Sequence, residues 1–167
     1  MRILIITQNE PFYLKENIEY LISSLPKEII IDSFFILKHT PLVGLRKRGS
    51  KILDIIKVFG INFFFHYSFK FFISFFFSKS LISVLKKNNI QYYKIGNNIN
   101  SKNNIDFIRS KKIDLIVSIL GSQIFKNEII KTPPFGIINL HTSLLPKYRG
   151  IMPTFWVLKN NEKTTGV

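Results

Sequence analysis

The 167-residue sequence contains no cysteine, which excludes disulfides, thiolate zinc sites and cysteine nucleophiles together. It contains no alanine either, and only 10 acidic residues against 24 Lys and Arg, a formal charge of +14. Such a charge favours polyanions: nucleic acid, an anionic membrane face or a phosphorylated substrate. Composition tempers that reading. Ile (29), Lys (19), Phe (17) and Asn (14) supply 79 of the 167 positions, and Lys outnumbers Arg 19 to 5. AT-rich codons encode those four residues and GC-rich codons encode Ala, so codon bias accounts for the larger part of the charge. The start lacks a long apolar run: Ile3 to Thr7 gives way at once to Gln8-Asn9-Glu10. That is too short for a signal peptide, and a cytoplasmic protein is expected. A hydrophobic content of 46% excludes wholesale disorder, and the length suits one domain.

The pattern predicts alternating strands and helices. Residues 2–7 read as a buried strand, 11–25 as a helix closed by Pro26, and 29–37 as a second strand. A basic loop with five Lys and Arg follows at 38–51, and 52–59 begin a helix. Residues 81–89 read as helix, 90–95 as strand, and the Asn-rich stretch 96–104 as an exposed loop without function. A short helix at 105–111, the clearest buried strand at 113–120, a helical turn or two at 124–130 and a strand at 135–141 complete the order. This alternation argues an α/β fold with an open, mostly parallel sheet flanked by helices. Ligands in such sheets bind at the carboxyl ends of the strands.

The segment 59–77, F-G-I-N-F-F-F-H-Y-S-F-K-F-F-I-S-F-F-F, is the longest apolar run. A membrane span needs about 20 such residues, so length nearly permits one. Yet Asn62, His66, Lys70, Ser74 and Ser78 recur every four residues as a polar stripe on a helix. A mid-membrane Lys alone costs about 2.5–3.5 kcal/mol. The expectation is a Phe-rich helix packed on the domain, with contact at a membrane interface as the alternative.

Chemistry concentrates in residues 136–167. Asn139 and His141 are two apart on a strand, so their side chains share one face at its carboxyl end. There an amide and an imidazole could polarise a carbonyl and move a proton, although a buried His and a strand-end Asn are common for structural reasons alone. The surrounding run N-L-H-T-S-L-L-P-K-Y-R-G, then Pro153, then the terminal T-G-V, resembles the folate-dependent formyltransferase family. That family includes methionyl-tRNA, glycinamide ribonucleotide and amino-sugar N-formyltransferases. The resemblance is tight over 113–167, looser over 1–37 and not evident over 52–89.

The resemblance implies a Rossmann-like N-terminal catalytic domain spanning 1–167, its C-terminal strands missing, with the Phe-rich helical segment 52–89 inside it. It implies transfer of a formyl group from the co-substrate 10-formyltetrahydrofolate to a primary amine. Asn139 matches the catalytic Asn that holds the formyl oxygen. His141 matches the catalytic His that stabilises the oxyanion or shuttles a proton. Leu120, Gly121, Ser122, Gln123, Ile124 and Phe125 match the segment lining the pterin pocket, and Leu144, Leu145 and Pro146 the loop beside the cofactor. Ser143 and Arg149 are expected to brace that loop. No metal is required, and no metal-ligand spacing occurs. His39 and His66 read as loop and helix residues.

One departure is large. The family's third catalytic residue, an Asp, would fall about ten residues past Val167 by the spacing of its motifs. Asp114 and Glu162 do not occupy that position. A fragment or an interrupted gene is implied, and the chain alone is expected to be weak or inactive. A nucleotide-linked amino sugar is the favoured acceptor, since F-W-V-L at 155–158 resembles the amino-sugar enzymes and T-Q-N-E-P-F at 7–12 departs from the G-T-P-x-F of the tRNA enzymes. The basic loop at 38–51 argues for methionyl-tRNA, and glycinamide ribonucleotide is a third candidate. Leu144 stands where a folate deformylase usually carries Phe. The non-enzymatic alternative is a truncated or degenerate folate-binding module associated with a membrane.

Overall fold

The computed structural model describes residues 1–10, 12–38, 53, 56, 57, 59–77, 80–150 and 152–167. The basic loop expected at 38–51 lies outside them apart from Lys38, as does much of the helix expected at 52–59.

Five strands form one sheet: β1 (Arg2–Gln8), β2 (Ile30–Leu37), β3 (Gln91–Ile95), β4 (Leu115–Ile119) and β5 (Ile137–Leu140). Their order is β3-β2-β1-β4-β5 and every pairing is parallel. The expectation of a mostly parallel α/β sheet holds. β1 is central, and its residues Ile3 to Thr7 are all buried because helices cover both faces. Alternation sends Leu4 and Ile6 to one face, with Phe35, Leu37 and Ile116, and Ile3 and Ile5 to the other, with Phe34 and Ile36.

Each face is closed by its own helices. α1 (Leu14–Ser24) and α3 (Leu81–Lys87) bury Leu14, Ile18, Leu81 and Leu85 against the second face. α4 (Lys102–Ser110) and the short α5 (Asn127–Ile130) bury Ile105, Ile108 and Ile129 against the first. α6 (Pro153–Lys159) follows the motif loop. The α1 entry is satisfied from outside the helix: the Glu10 carboxylate accepts from the amides of Phe12, Tyr13 and Leu14 at 2.8, 2.8 and 3.0 Å. An anion there also faces the positive end of the helix dipole. α3 and α4 are capped by Ser80 and Ser101, each accepting from the amide three residues on.

Two details differ from the sequence expectation. The Asn-rich stretch is only partly loop, since α4 begins at Lys102. Its asparagines also hold structure: Asn104 Nδ2 donates to the carbonyls of Asn98 and Ile99, and Ile99 is fully buried. The second difference is in α2 (Ile61–Phe77), the Phe-rich helix. It does pack on the domain, with Phe12 edge-on to Tyr67 and Phe71, and just ahead of it Phe59 is edge-on to Phe155. However, its polar stripe turns partly inward. Lys70 is half-buried, hydrogen-bonded to the Tyr13 hydroxyl and 4.0 Å from the centre of the Tyr13 ring. Phe65, Phe69 and Phe72 face outward at 65, 68 and 61% exposure. A cation over an aromatic face accounts for Lys70, since Tyr13 gives it a partner that water does not, while Asn62 and His66 stay exposed. Ser78, the last member of the expected stripe, lies outside the described residues. No helix among the described residues is long and apolar enough to cross a membrane.

Candidate active site

All five strands run the same way, so their carboxyl ends line one rim. Strand addition reverses between β1 and β4, and the crevice at such a switch point is where open α/β sheets bind ligands. The sequence-predicted residues cluster on this rim, at the ends of β4 and β5.

β4 ends in a tight turn. Leu120 adopts φ 57°, and Gly121 folds directly over Ser118. A Cβ at position 121 would lie 2.5 Å from Ser118 Oγ, so only glycine fits as the turn stands. The hydroxyls of Ser118 and Ser122 are buried and lack a hydrogen-bond partner among the described residues. Gln123 is committed to the neighbouring loop. Its Oε1 accepts from Ile99 N at 2.7 Å and its Nε2 donates to Gly96 O at 2.9 Å. Asn100 completes the latch, donating to Ile124 O at 2.9 Å and accepting from Lys126 N at 2.7 Å. Phe125 packs into the core, whereas Ile124 is 86% exposed and Leu120 44%. The polar groups left on this turn for a ligand are therefore mainly backbone.

Asn139 pairs with Ser118 in the β4–β5 register and shares the sheet face of Ile116 and Ile137. Its side chain is exposed and makes no hydrogen bond to a described residue. His141 lies one residue beyond β5 and is half-buried. Its Nε2 stands 3.0 Å from the Tyr148 carbonyl. A carbonyl can only accept, so Nε2 is the donor of this bond, and Nδ1 makes no hydrogen bond to a described residue.

The loop from Thr142 to Met152 is held from within. Ser143 is buried and donates to Lys147 O at 3.4 Å, and Arg149 Nε donates to Pro146 O at 3.1 Å. Both residues sit as braces of the loop. The Leu145–Pro146 peptide is cis, and Tyr148 adopts φ 53°. The Tyr148 hydroxyl donates to Glu162 Oε1 at 2.7 Å, and Lys147 Nζ reaches the same oxygen at 3.2 Å. The hydrogen bond to a carboxylate raises the Tyr148 phenol above its ordinary value. The same bond, followed by that from Lys147, holds Glu162 below the usual carboxylate range. A cavity of about 230 Å³ opens here, lined by Leu144, Leu145, Pro146, Tyr148 and Glu162 among others. Neither Asn139 nor His141 lines it, and neither do residues 120–125. The structure thus brings the predicted residues to one rim, with the second loop forming a pocket of its own. Sequence reasoning missed the Tyr148–Glu162 pair and the Ser118–Gly121 contact. A tyrosine and a carboxylate fourteen residues apart across a loop and a helix leave no local signature.

Among the described residues no group of three or more His, Asp or Glu is arranged to hold a metal ion.

Comparison with known proteins bears on this rim. The Formyl transferase family pattern matches residues 80–167, from α3 through the whole motif loop. The bifunctional polymyxin resistance protein ArnA of Wigglesworthia glossinidia brevipalpis is 39% identical over 140 residues, covering 84% of this chain and 20% of that protein. Methionyl-tRNA formyltransferase of Clostridioides difficile is 46% identical over 81 residues, covering 48% of this chain and 26% of that one. The chain therefore spans about a fifth to a quarter of these relatives. Among solved structures, phosphoribosylglycinamide formyltransferase from Anaplasma phagocytophilum superposes with a TM-score of 0.63 over 99% of this chain and 61% of that one. At 13% identity that likeness speaks to the fold alone. The family match takes in more than half of the sequence, including the turn, strand and loop that make up the rim, and the chain belongs to the formyl transferase family.

Proposed function

We propose that this chain carries the donor side of a formyl-transfer site, with 10-formyltetrahydrofolate as co-substrate and a primary amine as acceptor. The observation that carries the reading is the pairing of an uncommitted Asn139 amide with a His141 whose Nε2 is tied and whose Nδ1 is not, both at the carboxyl end of β5. In the proposed reaction the amine lone pair attacks the formyl carbon. The C=O electrons move onto oxygen, where the Asn139 NH₂ donates to the developing oxyanion. Collapse of the adduct breaks the bond to the folate nitrogen, which leaves with a proton, and the amine proton passes to a base. A preset donor of this kind contributes about 2.7–4 kcal/mol. His141 Nδ1 serves as proton acceptor or, once protonated, as a second donor to the oxyanion. Backbone groups of residues 120–125 recognise the pterin edge, and Leu144, Leu145 and Pro146 flank the donor. Residues 1–167 contribute to one catalytic domain, with the 52–89 segment inside it, in the cytoplasm.

The favoured acceptor is a nucleotide-linked amino sugar. One observation supports a non-tRNA acceptor: the match extending over 84% of the chain is to a protein not named for tRNA, whereas the methionyl-tRNA formyltransferase match above stops at 48%. Methionyl-tRNA is the second reading, on the strength of the basic 38–51 loop. None of the carboxylates in these 167 residues occupies the motif position of the family's third catalytic residue, and Glu162 is already held by Tyr148 and Lys147. The 167 residues alone are expected to bind the donor and transfer formyl weakly or not at all.

The test is calorimetric titration with 5-formyltetrahydrofolate, a stable formyl-folate, alongside a formyl-transfer assay. Wild type and His141→Ala should bind within about threefold of each other, with any residual transfer lost in the variant. A wild-type chain that is folded and does not bind the folate overturns the proposal.

A further inference from the structure

We infer that Tyr148, anchored by Glu162, is a positioning residue that fixes the tautomer and orientation of His141. The inference deepens the proposed formyl-transfer reading and rests on it for its catalytic meaning. Three observations join into one line of contacts. Glu162 accepts from the Tyr148 hydroxyl at 2.7 Å. The Tyr148 backbone is held in the left-handed region, φ 53°. From there its carbonyl meets His141 Nε2 at 3.0 Å.

The backbone conformation is what makes the anchor matter. A non-glycine residue in the left-handed region is less favoured than in its right-handed form. Left to itself, Tyr148 would relax and swing its carbonyl off the imidazole. The phenol–carboxylate bond is charge-assisted, and so about twice as strong as a neutral one, and it ties the far end of the same side chain. Lys147 Nζ at 3.2 Å on the same Glu162 oxygen keeps that carboxylate ionised and in place. Glu162 itself is held by its own amide, which donates to Val157 O at 3.2 Å at the end of α6. The anchor therefore transmits the position of α6 to the imidazole. With Nε2–H pinned on a carbonyl, only Nδ1 is free to exchange a proton with a bound donor. A free imidazole would populate both tautomers and would present the wrong nitrogen part of the time.

The experiment is ¹⁵N spectroscopy of the His imidazoles in the 167-residue chain, with His141→Gln assigning the resonances. In wild type His141 should show a protonated, pyrrole-type Nε2 and a pyridine-type Nδ1. In Tyr148→Phe and in Glu162→Gln, each shown folded by circular dichroism, both nitrogens should move toward averaged positions as the tautomers mix. Addition of 5-formyltetrahydrofolate should shift Nδ1 in wild type more than in either variant. Unchanged His141 nitrogens in both folded variants overturn the inference, whether or not the folate binds. A locked tautomer that loosens in the variants, together with no folate binding, upholds the anchor and removes the formyl-transfer reading instead. If Tyr148→Phe does not fold, Glu162→Gln decides alone, since it keeps the shape of the side chain and removes only its charge.

Discussion

Gly121 and Ser118 allow a test in which one substitution changes sign with its background. A Cβ at Gly121 would fall 2.5 Å from Ser118 Oγ, closer than real Cβ atoms approach any heavy atom. The next nearest atom, Phe125 Cζ, is at an ordinary 3.6 Å. Gly121 is not among the residues with positive φ, so Ala at this position meets a steric obstacle and no backbone strain. In the wild-type background Gly121→Ala gains about 0.4–1 kcal/mol by narrowing the unfolded ensemble. It loses about 1–3 kcal/mol to overpacking, for a net destabilisation of about 1–2 kcal/mol. Ser118→Ala removes a buried hydroxyl that has no partner among the described residues, and it should stabilise the chain by about 1 kcal/mol. In that background the obstacle is gone, and Gly121→Ala should itself stabilise by about 0.4–1 kcal/mol. The cycle therefore predicts a coupling of about 1.5–3 kcal/mol, read from urea midpoints at constant m. Additivity within about 0.5 kcal/mol would refute the contact as described.

Three further outcomes are expected. Gln123→Ala should cost about 1–3 kcal/mol in urea unfolding, since it leaves the Ile99 amide without its 2.7 Å acceptor beside a buried side chain; a cost below about 0.5 kcal/mol would mean that the latch between the two loops is idle. Glu162 is held below its ordinary pKa by Tyr148 and Lys147, so it stabilises the fold above about pH 4.5, and that contribution fades as pH falls through its lowered value. Tyr148 is raised, so its share is present below about pH 10 and is lost as pH rises through the raised value; melting curves of Glu162→Gln should lose the acid-side part of this dependence, and curves parallel to wild type would count against it. Phe65→Lys and Phe69→Lys should leave stability within about 0.5 kcal/mol and reduce self-association in sedimentation, whereas Phe63→Ala, which loses stacking on both Phe59 and Tyr67, should cost more than about 1 kcal/mol.

The strands were readable from sequence because a central parallel strand is apolar on both faces: the run Ile3 to Ile6 and the run Ile116 to Ile119 admit few other homes. The end of α1 was readable from Pro26, whereas the start of α4 was not, since its cap Ser101 sits inside the Asn-rich stretch that reads as loop. Periodicity could reveal a stripe on α2 but not which way it faces, and the Tyr13 ring decided that by drawing Lys70 inward. The asparagines of 96–104 read as turn formers because nothing local announces that Asn100 bonds across to residues 124 and 126. Asn139 and His141 stood out through their motif. The group that holds His141 in place did not, since a backbone carbonyl has no letter in the sequence and its anchor arrives from beyond α6.

The strand order has a consequence for how the chain is made. β1 is flanked by β2, its near neighbour in sequence, and by β4, whose Leu115 pairs with Ile3. A ribosome working at about 5–20 residues per second needs about 5–20 s to supply the roughly 110 residues between them. Throughout that interval the central strand of the sheet has one edge without its partner, just as the Phe-rich segment emerges behind it. The nascent chain is thus exposed to wrong pairing for longer than a protein whose sheet closes in order of synthesis. Chaperone demand during translation, measured as the yield of soluble chain with and without a holdase, should be high for this sequence, and swapping the order of strand synthesis by circular permutation should lower it.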